Sequence, residues 1–307
     1  MIDLLLPVVV ATIGAGTAIA FAALGELVTE KSGVLNLGVE GMMLIGAISA
    51  FAVASSSGNL WIGVVAGVLA GMVMSLLFAF LTLTLMANQV ACGLALSIFG
   101  VGLSAYVGLG YVNIVLPTQP VWALPGLAAL PVLGPLFFQH QPLVYLSWIL
   151  FGAVWWFLYR SRAGLKLRSV GESPSSAHAL GLPVNRVRYL ATLFGGAMAG
   201  LGGAFLAVMY TPMWVEGMTA GRGWIALSLV VFATWRPGRI LLGAYLFGGI
   251  TVAQLFAQSR GVAVPSQLLS MLPYLATVVV LVVISSNALR IRLNTPASLG
   301  LSFRPAS

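Results

Sequence analysis

Long uninterrupted runs of apolar residues are the feature that most restricts how this chain can fold. Nine runs stand out in the 307 residues, at 4–24, 33–54, 60–87, 90–112, 143–159, 189–211, 224–235, 240–257 and 268–286. An α-helix needs about 20 apolar residues to cross a hydrocarbon layer about 30 Å thick. A mean hydropathy of +1.05 and a charged fraction of 7% exclude a water-soluble domain, which must keep polar groups on its surface. The sequence therefore predicts an all-α, polytopic membrane protein.

The number of membrane spans is expected to be about nine, within a range of about eight to ten. The run at 224–235 is too short to cross alone, and the run at 33–54 contains Asn36 and Glu40 among glycines. Either run is a candidate for a broken or re-entrant helix, whose free backbone groups line cavities in transporters. Residues 1–307 are expected to form a single transmembrane domain.

The distribution of lysine and arginine predicts how the chain is oriented. With the segment 160–188 placed in the cytoplasm and the spans alternating from there, only Arg222 and Arg260 of the 14 basic residues fall on the far side. This bias is typical of membrane proteins, because positively charged loops resist translocation. It puts the N-terminus outside and the tail at 287–307 in the cytoplasm. The net charge of +8 then reflects topology and attraction to anionic membrane lipid, and it does not indicate nucleic acid.

A polar island interrupts the apolar chain at residues 168–190, which read RSVGESPSSAHALGLPVNRVRYL. Ser173 is suited to accept from the open amides of a first helical turn, and Pro174 is suited to the first helical position. Gly181, followed by Pro183, supplies the stop. A helix of about two turns is marginal in water on its own, so we expect it to pack against other elements and to serve as a docking surface. An ordinary surface loop is the alternative.

Four stretches carry a resemblance to a known family. The island and the span after it contain VGESPSSAHALGLPVNRVRYLATLFGGAMAGLGGAFL, which resembles the cytoplasmic coupling loop of ABC importer permeases in the branched-chain amino acid and ribose permease superfamily. The stretches ELVTEKSGVLNLGVEGMMLIGA, ANQVACGLAL and GRGWIALSLVVFATWRPG are similar to the nucleoside and simple-sugar branch. Within that branch the chain resembles the shorter of the two permease types. Cys92 stands where we expect a hydroxyl or aliphatic residue, which leaves the substrate open.

The resemblance implies a complex of several subunits. Two permease chains would form the pathway, and the second is expected to be a different, longer one. Two ATP-binding cassette ATPases would dock on the coupling helices, and a substrate-binding lipoprotein or periplasmic protein would deliver the substrate from outside the inner membrane of a prokaryote. The residues expected to couple to the ATPase are Glu172, Ser173, Pro174, Ser175, Ser176, Ala177, His178, Ala179, Leu180 and Gly181. An aspartate in place of Ala177 is expected to disturb apolar docking there.

The resemblance also implies the cargo, a nucleoside or a related small polar solute moved by alternating access. A simple sugar, a flavin precursor and a branched-chain amino acid are the alternatives within the family. From a different class, an ion-coupled secondary transporter would use Glu40 as a proton or sodium site. The chain has no G-x-x-x-x-G-K-[ST] phosphate loop, so ATP hydrolysis is assigned to a partner, and no catalytic residue or cofactor is expected on this chain.

Polar residues within or beside the apolar runs are candidates for the translocation pathway. They are Asn36, Glu40, Asn88, Gln89 and Gln254. Neutral amides suit solutes that present hydroxyls and ring nitrogens, whereas a buried carboxylate must be paired, hydrated or protonated. Structural roles are the alternatives: Glu40 bonded to a backbone amide, to Asn88 or to Gln89, Asn88 capping the helix that it precedes, and Gln254 bonded between helices.

Other distinctive residues indicate packing rather than chemistry. Gly196 and Gly200 have the spacing that lets helix backbones approach closely. Cys92 is the single cysteine, which excludes an internal disulfide and a multi-cysteine metal site. Neither His140 nor His178 has the neighbours that a metal site or a nucleophile needs. No metal site is expected.

Overall fold

The computed structural model of the chain describes residues 2–259 and 294–304. Between these ranges it describes only residues 268, 271, 272, 275, 276, 278, 279 and 282. The predicted ninth span, 268–286, therefore lies for the most part outside the described residues, as does part of the predicted tail, 287–307.

The described residues are mainly helical. In chain order the elements are α1 (Ile2–Lys31), α2 (Val39–Ser57), α3 (Leu60–Ala79), α4 (Gln89–Gly108), β1 (Trp122–Ala123), α5 (Leu133–Phe137), β2 (Gln139–His140), α6 (Pro142–Arg160), α7 (Arg162–Glu172), α8 (Pro174–Ala179), α9 (Val184–Ala204), α10 (Arg222–Phe232) and α11 (Pro237–Ser259). One π-helical turn, Phe80–Thr84, extends α3 and another, Phe205–Tyr210, extends α9. The two short strands pair antiparallel in the loop between α4 and α6.

Seven of the described helices are long and apolar enough to cross a membrane. They are Leu6–Lys31, Val39–Ser57, Leu60–Thr84, Gln89–Tyr111, Pro142–Arg160, Val184–Tyr210 and Pro237–Ser259. The prediction of an all-α, polytopic membrane fold is confirmed. The count of about nine is not confirmed, because the ninth run lies outside the described residues and α10 has only 11 residues. At about 1.5 Å per residue, α10 rises roughly 16 Å, which is about half of a hydrocarbon layer.

The first helix is longer than the sequence predicted. It ends at Lys31, whereas the apolar run ends at Leu24. Glu26 and Glu30 lie within this extension, and each is almost completely buried. These acidic residues interrupt the apolar run without ending the helix, because neighbouring helices cover them.

Helices α1, α2, α3 and α9 pack at the centre, where glycines bring helix backbones into direct contact. A Cβ atom at Gly46 of α2 would lie 2.5 Å from the Cα atom of Gly200 in α9. A Cβ atom at Gly67 of α3 would lie 2.7 Å from the carbonyl oxygen of Gly46. A Cβ atom at Gly196 would lie 2.5 Å from the carbonyl oxygen of Gly71 in α3. The predicted packing role of Gly196 and Gly200 is confirmed.

The polar island lies at one end of the bundle, together with α7, α8, the end of α1 and residues 294–304. We call this the α8 end. The sequence predicted one short helix in the island, and the structure has α7 as well. The hydroxyl of Ser161 caps α7 by accepting from the amide of Gly164 at 2.9 Å, and Leu167 and Val170 form its buried face.

Candidate functional site

The predicted coupling helix is present as α8, which is six residues long. The hydroxyl oxygen of Ser173 accepts from the amide of Ser176 at 3.3 Å, and Pro174 occupies the first helical position. Gly181 follows the helix with a φ of 78°, in the left-handed region that favours glycine. The predicted cap, first residue and stop of this helix are confirmed.

One face of α8 is buried against the protein, and its other residues are exposed or half-buried. Ala177 is 2% exposed and packs against Val170 of α7 and Val184 of α9. The other residues predicted to couple to an ATPase are exposed or half-buried: Glu172, Ser173, Pro174, Ser175, Ser176, His178, Ala179, Leu180 and Gly181. Leu180 is the most exposed large apolar residue here, at 81%. An aspartate at Ala177 would therefore act on the protein's own packing and not on a docked partner.

Arg188, in the second turn of α9, is fully buried although it carries a charge. Its Nε donates to the carbonyl oxygen of Ser32 at 3.2 Å. Its Nη1 donates to the carbonyl oxygen of Leu301 at 3.0 Å, and its Nη2 donates to the hydroxyl of Ser298 at 3.1 Å. All three nitrogens are hydrogen-bonded, as burial of a charged group requires. In the sequence Arg188 counted only as one of the basic residues that predict orientation.

Glu40 lies in the first turn of α2 and is 6% exposed. Its Oε1 accepts from the hydroxyl of Thr219 at 2.6 Å and from the amide of Gly221 at 2.9 Å. Its Oε2 accepts from the amide of Gly223 at 2.6 Å, in the first turn of α10. Amides there have no partner within their own helix, and the helix dipole favours a negative charge beside them. The alternative in which Glu40 bonds to backbone amides is confirmed, and its role in the pathway stays a prediction.

Asn36 and Gln89 hold the turn between α1 and α2. Oδ1 of Asn36 accepts from the amide of Gly38 at 2.9 Å, and Oε1 of Gln89 accepts from the amide of Leu35 at 2.8 Å. Both side chains are buried. The structure therefore brings Asn36 and Gln89 together at the turn that leads into Glu40.

Asn88 and Gln254 have different surroundings. Asn88 is exposed and caps α4, because its Oδ1 accepts from the amide of Ala91 at 3.0 Å. The capping role predicted for Asn88 is confirmed. Gln254 is half-buried in the last part of α11, beyond the point where Gly248 packs against Thr12 near the start of α1. It lies far along the bundle from the α1–α2 turn.

Two acidic residues that the sequence analysis did not single out are also buried in this region. Glu30 accepts through Oε2 from the indole Nε1 of Trp235, in the turn between α10 and α11. Oε1 of Glu26 accepts from the amide of Asn36 at 3.2 Å, and its Oε2 has no hydrogen-bond partner among the described residues. The sequence offered one indication that they belong together: Glu26 and Glu30 are four positions apart, which places both on one face of a helix.

The turn that Trp235 occupies has an unusual backbone. Thr234 and Trp235 have φ values of 50° and 53°, in the left-handed region that β-branched and bulky residues rarely adopt. The indole of Trp235 is 3% exposed and bonded to Glu30, so the turn is held by a contact with α1. Within the residues that the structure describes, no group of three or more His, Cys, Asp or Glu side chains could hold a metal ion.

The comparison with known families decides what kind of protein this is. The model of the family described as "Branched-chain amino acid transport system / permease component" matches residues 8–284. The chain belongs to this family. The predicted resemblance is confirmed, and the chain is a multi-pass membrane protein of the ABC transporter permease type.

Curated relatives resemble the chain over nearly their whole lengths. A putative glucose ABC transporter permease protein of Haloferax volcanii, TsgC13, is 42% identical over 95% of this chain and 96% of its own length. The nucleoside ABC transporter permease protein NupC of Lactococcus lactis is 32% identical over 89% of this chain and 90% of its own. The guanosine ABC transporter permease protein NupQ of Bacillus subtilis is 30% identical over 92% of each. Each of these relatives is named as a transporter permease.

Proposed function

We propose that the chain is the membrane permease of an ATP-driven importer in the inner membrane of a prokaryote, and that it moves nucleosides or a related small polar solute by alternating access. The observation that carries the coupling part of this proposal is α8, a capped helix with one buried face and other residues that are exposed or half-buried. Such an element can contact a soluble partner on one side and pass movement to the bundle on the other. ATP hydrolysis is assigned to that partner.

The α8 end is proposed to face the cytoplasm. Basic residues at the end of α6, in α7 and in the first turn of α9 gather there, as expected for a side that was not translocated. They are Arg160, Arg162, Lys166, Arg168 and Arg186. An ATP-binding cassette ATPase would then contact the exposed part of the segment from Glu172 to Gly181.

Two further partners complete the proposed complex. A second permease chain, different and longer, would form the other half of the pathway, which follows from the resemblance to the shorter permease type. An extracytoplasmic substrate-binding lipoprotein or periplasmic protein would dock on the opposite end, where the loop from residue 113 to 141 lies.

The names of the relatives support two classes of cargo. NupC and NupQ are named for nucleosides and guanosine, which supports a nucleoside. TsgC13 is named for glucose and has the higher identity, 42%, which supports a simple sugar as the second candidate. Both classes are neutral and rich in hydroxyls, so uncharged hydrogen-bonding groups would suit either one.

The five residues predicted to line the pathway, Asn36, Glu40, Asn88, Gln89 and Gln254, stay a prediction. In the described conformation Asn36, Glu40 and Gln89 are buried and hold backbone amides of their own chain. A direct contact with solute would therefore require the α1–α2 turn to open during the transport cycle.

Uptake into proteoliposomes tests the proposal. The chain is reconstituted alone, and also with its candidate ATPase, second permease and binding protein, and uptake of labelled guanosine and labelled glucose is measured with ATP inside or outside the vesicles. We expect uptake of one solute only in the full complex and only with ATP on the α8 side. A non-hydrolysable ATP analogue is the control and should abolish uptake. Gradient-driven uptake by the chain alone would contradict the proposal and favour an ion-coupled transporter that uses Glu40.

A further inference from the structure

The tail segment, residues 294–304, packs against the α8 end. The amide of Ser298 donates to the carbonyl oxygen of Gly171 at 3.1 Å, and its hydroxyl donates to the same oxygen at 2.6 Å. Gly171 lies at the end of α7, one turn before α8 begins. The amide of Gly300 donates to the carbonyl oxygen of Gly33 at 3.1 Å, so the tail segment also contacts the chain just after α1.

Phe303 connects the same segment to α8. Its ring packs against the small apolar cluster formed by Val170, Ala177 and Val184. The ring also meets the imidazole of His178 edge to face, with 5.7 Å between the ring centroids. The residues that contact α8 therefore include Phe303, which lies more than a hundred positions later in the chain.

Arg188 joins the tail segment to two other elements. It lies in the second turn of α9, and its guanidinium donates to Ser32 after α1 as well as to Ser298 and Leu301 of the tail segment. The Ser298 hydroxyl thus accepts from Arg188 and donates to Gly171. A single hydrogen-bonded chain therefore runs from α9 through the tail segment to α7, with a branch to the end of α1.

These contacts address a mechanical weakness of α8. A helix of six residues is unstable by itself, and besides the packing of Ala177 on Val184 only the short connection 180–183 links it to α9. A force applied to such a helix would bend this connection unless the residues that the helix packs against were held by a more rigid element. The tail segment and Arg188 add to the close approach of Gly171 to the carbonyl oxygen of Lys31, at the end of α1. Helix α1 in turn packs against α6, α9, α10 and α11.

We propose that the tail segment and Arg188 fasten α8 to the end of α1, so that a partner's movement against α8 reaches α1 as well as α9. In this arrangement Arg188 and Ser298 are positioning residues, and Phe303 is one of the residues that contact α8. The inference rests on the proposed function, because it assumes that an ATPase docks on α8.

Substitutions in the tail segment of the full complex test the inference. Ser298→Ala removes the bridging hydroxyl, and Phe303→Ala removes the ring beneath α8. Leu301→Ala is the matched control, because its side chain is 60% exposed and only its backbone carbonyl accepts from Arg188. Three quantities are measured: co-purification with the ATPase, the ATPase rate stimulated by the loaded binding protein, and solute taken up per ATP hydrolysed. Hydrogen exchange of residues 294–304 reports whether the tail segment has been released.

We expect Ser298→Ala and Phe303→Ala to keep co-purification and the ATPase rate, and to lower uptake per ATP by about fivefold or more, a typical size for a coupling between two sites. Leu301→Ala should leave all three quantities unchanged. Unchanged uptake per ATP in a variant whose tail segment exchanges faster would overturn the inference. So would loss of co-purification, because the tail segment would then be a docking surface rather than a connection to α1.

The wild-type complex separates the two proposals. If it shows no ATP-driven uptake, the proposed function fails and the inference fails with it. If it transports and the tail variants transport equally well per ATP, only the inference fails.

Discussion

Glu40 accepts a hydrogen bond through Oε2 from the backbone amide of Gly223 at 2.6 Å, although 183 residues separate them in the chain. The contact joins the first turn of α2 to the first turn of α10. The first amides of α10 have no partner within their own helix, and both Thr219 and Gly223 are buried. A carboxylate at this position satisfies two of these amides and the hydroxyl of Thr219 at once. The position of α10 therefore depends on the carboxylate of Glu40.

Replacing Glu40 should therefore lower the stability of the protein, and the loss should grow with the number of these hydrogen bonds that the substitution removes. Glu40→Ala leaves the donors of Thr219, Gly221 and Gly223 without an acceptor, and we expect it to lower the free energy of unfolding by about 3 kcal/mol or more. Glu40→Gln keeps one acceptor oxygen and should cost about 1–2 kcal/mol. Unfolding in detergent micelles, followed by circular dichroism, measures both. Equal stability of the two variants and the wild type would show that Glu40 does not hold α10.

Gly46 should tolerate no larger residue. The Cβ of Gly46→Ala would lie 2.5 Å from the Cα of Gly200, so α2 and α9 would have to separate. We expect a loss of about 1–3 kcal/mol in stability, the usual size for overpacking. Gly102→Ala in α4 is the matched control, since a Cβ there meets nothing within 4 Å. It should be neutral or stabilise α4 by up to about 1 kcal/mol. Similar thermal unfolding curves for both variants would contradict this account.

Trp235→Phe should weaken the turn between α10 and α11. The substitution keeps an aromatic ring but removes the indole donor, and Glu30 is then buried with one bond fewer. We expect a loss of about 1–3 kcal/mol in the free energy of unfolding. Trp156→Phe, at a position that is 59% exposed, should change stability by less than about 0.5 kcal/mol. A loss of similar size in Trp156→Phe would mean that the indole bond is not the cause.

Buried and exposed positions at α8 should respond differently to an added charge. Leu180→Asp places the charge on the exposed residue that follows α8, and we expect normal stability but at least about a fivefold loss of ATPase stimulation in the complex. Ala177→Asp buries the charge against Val170 and Val184, and we expect it to destabilise the permease by several kcal/mol, roughly the cost of an unpaired buried charge. Thermal unfolding of the isolated chain and the stimulated ATPase rate distinguish the two. Normal ATPase stimulation in Leu180→Asp would show that this residue is not part of the contact.

Local patterns predicted the local parts of the structure. The apolar runs gave the crossing helices, and Ser173, Pro174 and Gly181 marked the limits of α8, because capping and helix termination depend on residues a few positions apart. The same logic failed at the end of α1. The predicted span stops at Leu24, whereas α1 continues through Glu26 and Glu30. The α1–α2 turn, the indole of Trp235 and the packing of α9 cover this end of the helix.

Contacts between distant segments could not be predicted from the sequence. Arg188 and Ser298 lie 110 residues apart, and nothing near either residue indicates the other. An arginine next to a basic loop is expected to be exposed to solvent, so the sequence did not predict that Arg188 is completely buried. The roles of Glu40 and Gln89 were left open for the same reason, since a sequence records that a side chain is polar but not which amide it meets.

The glycine contacts among α2, α3 and α9 have a consequence for how the protein can move. Where backbone touches backbone, no side chain is available to rotate and absorb a displacement, so these three helices must shift as one stiff wedge. Backbone contacts of the same kind join α4 to α2 at Gly41 and Gly100, and α11 to α1 at Gly16 and Gly248. We therefore expect these helices to move together during transport, and relative sliding to occur at interfaces that are built of side chains.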